Sequence, residues 1–410
     1  MLEQDSREWI KQRMLTLRKQ SGINFHQDVF ISILLCLISG KNKHLILMAP
    51  IQHIPQVTQM ASEICRSLFG FTTTNINCQN TPSVASFIHD LFISANNDED
   101  DFSISSTNRQ VATLGRNNIY NNEIIKKQPS INQYQNSSPI NPLDFTVRPS
   151  KSFSYIAKQH QQPINENQRK YSTATTSGNN ISASGTNRIA QTLIIQHLND
   201  ANDLIQAALL ELIINKEIRL NNTRYTTPRP HFLTIAIIPE SSYHNTISSL
   251  LLDHFFLSYR FKEEFFQYSS SIPSLSNLLP NDIRSKSQNR RMALFQNEEI
   301  KSLIDHASKV HINIDITRYI RDIVVGIRTH NLVQGGLTAR TSQDIINVTR
   351  SLAAVFNKKF LTPDLVAVAV EKVVGHRLRM NIDSQSKQDN SNNVIADIVS
   401  DILRIVYAPV

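Results

Sequence analysis

Cysteine is scarce. Cys36, Cys65 and Cys78 are the three in 410 residues, and each sits in an apolar segment without the paired spacing of a metal site. That argues against a disulfide framework and a cysteine-ligated zinc centre, and fits reduced core thiols of an intracellular protein, nuclear or cytoplasmic. Long apolar runs are missing too: none reaches about 18 residues, the length that crosses a bilayer. The opening Met1-Leu2-Glu3-Gln4-Asp5 lacks the pattern of a signal peptide, so the expectation is a soluble chain with no membrane partner. Acids are in deficit, 34 Asp and Glu against 42 Lys and Arg, for a net charge of +8.

The 40% hydrophobic share supports a core, diluted by something polar. A chain this long has room for one α/β domain, a helical domain and a disordered segment. The apolar pattern is clearest between Thr192 and Glu240. An apolar run, Leu193 to Ile195, ends in the polar corner Gln196-His197. A helix is predicted from about Ala201, with Leu204, Ile205, Ala208, Leu209 and Ile213 at helical spacing. Lys216 to Thr227 carries the hairpin signal Asn221-Asn222. Phe232 to Ile238 reads as a buried strand stopped by Pro239. Strand, corner, helix, hairpin and strand form the centre of a parallel-sheet α/β core, which binds ligands at the carboxyl ends of its strands.

Before this stretch, a helix is expected over residues 5–20, capped by Asp5 or Ser6, with Trp9, Ile10, Met14 and Leu17 as its apolar stripe. A second helix runs from about His26 to Ser39 and leads into a strand, His44 to Met48. A helix with Val57, Met60, Ile64 and Leu68 follows, then a strand over Phe71 to Asn77 and a helix over Pro82 to Ser94. From 96 to 187 Asn, Ser, Gln and Thr dominate, a composition that cannot offset the entropy of ordering and predicts a disordered insert. Its basic residues outnumber its acids, which allows a weak nucleic-acid or partner tether. A solvated filler loop is favoured, because no dense basic cluster is present.

The residues also carry a resemblance. Ile205-Gln206-Ala207-Ala208-Leu209-Leu210-Glu211, Leu251-Leu252-Asp253-His254-Phe255, Gly336-Leu337-Thr338-Ala339-Arg340, Leu361-Thr362-Pro363-Asp364 and His376-Arg377 resemble, in order, the landmarks of AAA+ ATPases of the MoxR and magnesium-chelatase type. Thr362 is expected to cap the helix that Pro363 opens. The resemblance implies an AAA+ P-loop-NTPase-like core followed by an all-helical lid. The boundaries read as 1–95 for the N-terminal helices and first half of the core, 96–187 for the insert, 188–265 for the second half, 266–310 for a linker and helix, 311–380 for the lid and 381–410 for a tail and last helix.

The same alignment implies a degenerate nucleotide site. A phosphate loop needs glycines for a backbone cradle, a Lys for the β- and γ-phosphates and a Ser or Thr for magnesium. At those positions stand Ala49, Ile54, Pro55 and Gln56. Gln196 and His197 replace the magnesium-binding and catalytic acids. Ile238 stands at the first sensor and His254 at the arginine finger, which active members supply across a subunit interface. Arg340 alone matches, at the second sensor, and a lid-to-core contact is the expected role for it. A metal pair of His197 and His254 is disfavoured. The resulting expectation is a pseudo-ATPase scaffold or partner-binding module without catalytic residues, cofactor or metal, with a link to telomere capping implied by the resemblance. The alternatives are a basic nucleic-acid-associated protein and an ATP-binding protein with a rebuilt site.

Overall fold

The computed structural model describes residues 4–22, 25–40, 42–93, 188–220, 223–240, 243–269, 293–381 and 391–409. The insert predicted over 96–187 therefore lies outside the described residues. So do most of the linker after 269 and the tail at 382–390.

Helices α1 (Gln4–Ser21) and α2 (Gln27–Ile38) lead into strand β1 (His44–Ala49), and helix α3 (Ile54–Glu63) follows one short turn later. β2 (Thr73–Asn77) and α4 (Val84–Asp90) precede β3 (Thr192–Gln196) and α5 (Asp203–Asn215). Next come β4 (Glu217–Leu220), β5 (Thr223–Thr226), β6 (Leu233–Pro239), the short helices α6 (Tyr243–Thr246) and α7 (Ser249–His254), β7 (Phe255–Arg260) and α8 (Glu263–Ser269). α9 (Asn297–Lys309) connects to the lid. The lid holds α10 (Ile314–Arg328), β8 (Val333–Gly335), α11 (Ala339–Val355), α12 (Pro363–Val374), β9 (Arg379–Met380) and α13 (Ser391–Ile405).

Five parallel strands form one sheet in the order β2-β3-β6-β1-β7. β1 and β6 are buried along their whole length, as central strands covered on both faces must be, and this explains their unbroken apolar sequences. Side chains alternate between two core layers. Leu45 and Leu47 face α2, α3 and the lid, whereas Ile46 and Met48 face α4, α5 and α7. β4 and β5 pair antiparallel, with Leu220 opposite Thr223, where the hairpin is expected. The edge strand β7 is not among the elements expected from the sequence, where Leu251 to Phe255 are read only as the arginine-finger motif. Phe255 to Tyr259 instead continue as a fifth strand beside β1.

Several local expectations are corrected. α1 is described from Gln4, which places Asp5 and Ser6 within the helix. Its buried stripe is Ile10, Met14 and Leu17; Trp9 is 40% exposed, one helical step off that face. α5 starts at Asp203, where the Asn202 side chain accepts the Ile205 N–H at 2.8 Å. Leu204 is 57% exposed, and Gln206 is buried in its place, donating to the carbonyls of Ala201 and Thr246. Thr362 occupies the cap position of α12, yet its buried hydroxyl makes no hydrogen bond among the described residues.

Core and lid belong to one unit spanning residues 1–104 and 185–410. α12 packs on β7, and α11 packs on α9, α10 and α12. Where the lid turns before α11, Gly336 has φ +105°, and a Cβ there would lie 1.9 Å from the Arg377 carbonyl oxygen, so only glycine fits.

Candidate functional site

The carboxyl ends of the strands gather the turn after β1, the corner after β3 and the ends of β6 and β7. β1 is where the crossover directions reverse: the chain leaves it toward β2 on one side, and β6 returns past it to β7 on the other. In a sheet of this kind that point is the expected ligand crevice.

The turn after β1 has the span of a phosphate loop, with Ala49, Ile54, Pro55 and Gln56 at the positions compared with one. Ala49 ends the strand fully buried, and Ile54 opens α3 fully buried. Between them Pro50 to His53 close on themselves. The His53 N–H donates to the Pro50 carbonyl at 2.9 Å, and the Ile54 N–H to the Ile51 carbonyl. Pro55 brings no N–H to the start of the helix, and Gln56 points to solvent. The strand's last carbonyls are also taken, Met48 by the Phe261 N–H at 2.9 Å and Ala49 by the Glu240 N–H at 3.2 Å. The His53 ring lies flat on Phe266, centroids 3.9 Å apart and planes within 2°. The ring pair thus covers the His53 end of the turn, and the His53 and Ile54 N–H groups serve the turn itself.

At the end of β3, Gln196 is half-buried and His197 takes the left-handed conformation with φ 53°. The His197 N–H donates to the Ile237 carbonyl at 2.9 Å, which fixes the corner. The ring is buried, 3.8 Å from the Asp200 carboxylate, and its Nδ1 has no hydrogen-bond partner among the described residues. Asp200 accepts from Gln79 at 2.8 Å and from Asn199 at 2.5 Å. Sequence reading passed over this carboxylate, since it lies four residues beyond Gln196, the position where a magnesium-binding acid would stand. Ile238 is fully buried in β6. Beyond it, Glu240 pairs with Arg260 at 3.1 Å, a contact between strand ends that no local pattern signals. Among the described residues no group of three His, Cys, Asp or Glu side chains could hold a metal ion.

His254 and Arg340 lie elsewhere. His254 immediately precedes Phe255, which is in register with His44 at the amino end of β1. At about 3.3 Å per residue, that end is about 17 Å from Ala49. Arg340 approaches Asp253 there, Nε to Oδ2 3.6 Å, while Thr338 donates to the other carboxylate oxygen at 2.9 Å. Arg340 therefore joins lid to core at the edge of the sheet opposite its own chain's β1–α3 turn. His197 and His254 are likewise at opposite ends of the sheet and form no pair.

Beneath that contact is a buried charged cluster. Arg377, 2% exposed, donates to the Phe255 carbonyl at 2.6 Å and to Asp344 at 2.7 Å. Lys43 reaches the other Asp344 oxygen at 2.5 Å. His376 contacts the same Phe255 carbonyl at 2.9 Å. Lys43 and Phe255 belong to the core, Asp344, His376 and Arg377 to the lid. Nearby His44 is wholly buried, its Nδ1 accepting the Thr234 N–H at 3.1 Å, and burial pushes its pKa down to about 3. The three cysteine thiols are pushed up by burial, Cys65 and Cys78 to about 12, which leaves them unreactive.

Comparison with known proteins agrees with this architecture. The AAA lid domain family matches residues 326–402. Two curated fungal proteins, each called maintenance of telomere capping protein 2, are similar in part. That of Lachancea thermotolerans is 30% identical over 79 residues, 18% of this chain and 28% of its own length. That of Kluyveromyces lactis is 26% identical over 182 residues, 40% of this chain and 65% of its own. The chain thus matches less than two thirds of either relative. Among solved structures, a proposed ATPase from Cytophaga hutchinsonii is similar with a TM-score of 0.55 at 13% identity, covering 99% of this chain and 98% of that one. The fold is mixed α/β, an AAA+-like parallel-sheet core with helices followed by an AAA lid.

Proposed function

Starting from a chain with an AAA+-like core and an AAA lid, we propose that it is a pseudo-ATPase, a scaffold that binds partners and does not turn over nucleotide. The observation that carries this reading is the turn after β1. Phosphoryl transfer depends almost wholly on positioning and on charge stabilisation, supplied by backbone donors, a lysine and a carboxylate-held magnesium. Here the His53 and Ile54 N–H groups are spent within the turn, and Pro50 and Pro55, the latter at the lysine position, bring no N–H at all. The Phe266 ring covers His53, and Gln196 and His197 bring no carboxylate to the end of β3. Arg340 is committed to Asp253, far from the turn.

Among AAA+ proteins the motif order is that of the MoxR and magnesium-chelatase type. Both curated relatives take their name from telomere capping. We extend that process to this chain as the place to seek its partner, with a nuclear location. The test is calorimetry of the purified protein with millimolar ATP and magnesium, followed by a phosphate-release assay. The expected result is no heat of binding and no turnover. Saturable binding abolished by a substitution in residues 50–56 would overturn the reading.

A further inference from the structure

A groove at the β2 edge of the sheet bears on how such a scaffold holds a partner. An open groove of about 520 Å³ runs between α3 and the strands β2 and β3, within the size range of ligand-binding clefts. Gln59, Ser62, Glu63, Arg66, Asn75 and Gln196 are among its lining residues, with Pro55 at one end, so its walls are mainly amides and hydroxyls with one carboxylate and one guanidinium. The wall helix is not regular. After α3 the chain widens into a π-helical turn, Ile64–Leu68, which brings Arg66 and Ser67 to the groove. Such turns are rare and gather at functional sites.

β2 is an edge strand. The Thr192 N–H donates to the Thr72 carbonyl, so in the parallel ladder Thr72, Thr74 and Ile76 turn their backbone groups toward β3. Thr73, Asn75 and Asn77 turn theirs outward. The Thr73 carbonyl accepts from Arg66 at 3.4 Å, and the Asn77 carbonyl from the Thr81 hydroxyl at 2.8 Å. Between these two closed positions, the N–H and C=O of Asn75 have no hydrogen-bond partner among the described residues, and Asn75 is exposed.

We propose that this groove docks an extended peptide segment of a partner protein, which pairs with the Asn75 backbone as a short added strand. The lining amides meet the amides of that segment. An amphipathic helix would need an apolar floor, which this lining lacks, and a nucleotide would need a phosphate cradle, which the adjacent turn lacks. The proposal deepens the scaffold reading and rests on it.

The test selects peptides from a displayed library of random heptapeptides against the full chain, then titrates them against two variants. Asn75→Pro removes the outward N–H at an edge position where proline is tolerated and leaves the ladder to β3 intact. Gln59→Trp fills the groove from an exposed helix position. Each variant should weaken the selected peptides roughly tenfold, about what one lost backbone hydrogen bond is worth, with the urea midpoint unchanged. The Asn75 amide should gain protection from hydrogen exchange in the complex. No peptide above background, or peptides that bind both variants like the parent, would overturn the proposal. So would a sugar or a nucleotide that saturates the groove and is lost in the same variants. Failure with peptides alongside silent ATP calorimetry leaves the scaffold reading standing and moves the docking surface; a nucleotide bound at residues 50–56 removes the scaffold reading first.

Discussion

Replacing Asp344 by alanine should be among the most damaging single changes in the lid. Asp344 is 2% exposed and holds Lys43 at 2.5 Å and Arg377 at 2.7 Å. Arg377 is itself 2% exposed, and the Lys43 side chain is 18% exposed. Deleting the carboxylate leaves one buried cation and one partly buried cation without their shared acid. Breaking a buried pair from one side costs about 3–5 kcal/mol, because the remaining charge keeps its desolvation penalty. Asp253, 3.8 Å from Arg377, recovers part of that and puts the expectation nearer 3, as an order of magnitude. Arg340→Ala is the matched control. That pair also joins lid and core, but at 3.6 Å with the arginine side chain 45% exposed, so solvent screening holds its value to about 0–1 kcal/mol. Urea unfolding of both variants reads the difference as a shift in midpoint at constant slope. If Asp344→Ala lost less than Arg340→Ala, the buried cluster would not be what fastens the lid.

Acid should weaken the protein through His44. In the fold its pKa is about 3 against an ordinary 6.5, so below 6.5 the unfolded chain takes up a proton that the folded chain refuses. Stability from this group is complete above pH 6.5 and falls by about 1.4 kcal/mol per pH unit below it, roughly 2 kcal/mol by pH 5. His44→Gln should flatten the stability profile between pH 7 and 5, and an unchanged slope would refute the assignment. Restoring a glycine at the phosphate-loop position should unfold more than it repairs. Ile54 is fully buried, so Ile54→Gly should cost about 3–5 kcal/mol by urea unfolding, and Pro55→Lys added to it should bring no ATP heat in calorimetry.

Much of the fold was legible because its signals are local. β1, β3 and β6 announce themselves as apolar runs, and Pro363 marks a helix start by the conformation it favours. The positions compared with a nucleotide site were countable for the same reason: Ala49, Ile54, Pro55, Gln196 and His197 stand at fixed distances from strand ends. Trp9 and Leu204 were misplaced because both are apolar at a position one step off a helical stripe, and only packing shows which neighbours the core has room for. The sheet order, the ring stack of His53 on Phe266, the open edge at Asn75 and the cluster of Lys43, Asp344 and Arg377 were decided by the tertiary structure alone. Local periodicity reports which face of an element is apolar. A contact between residues 43 and 344 depends on where two layers meet after folding, and burial there is what makes those charges matter.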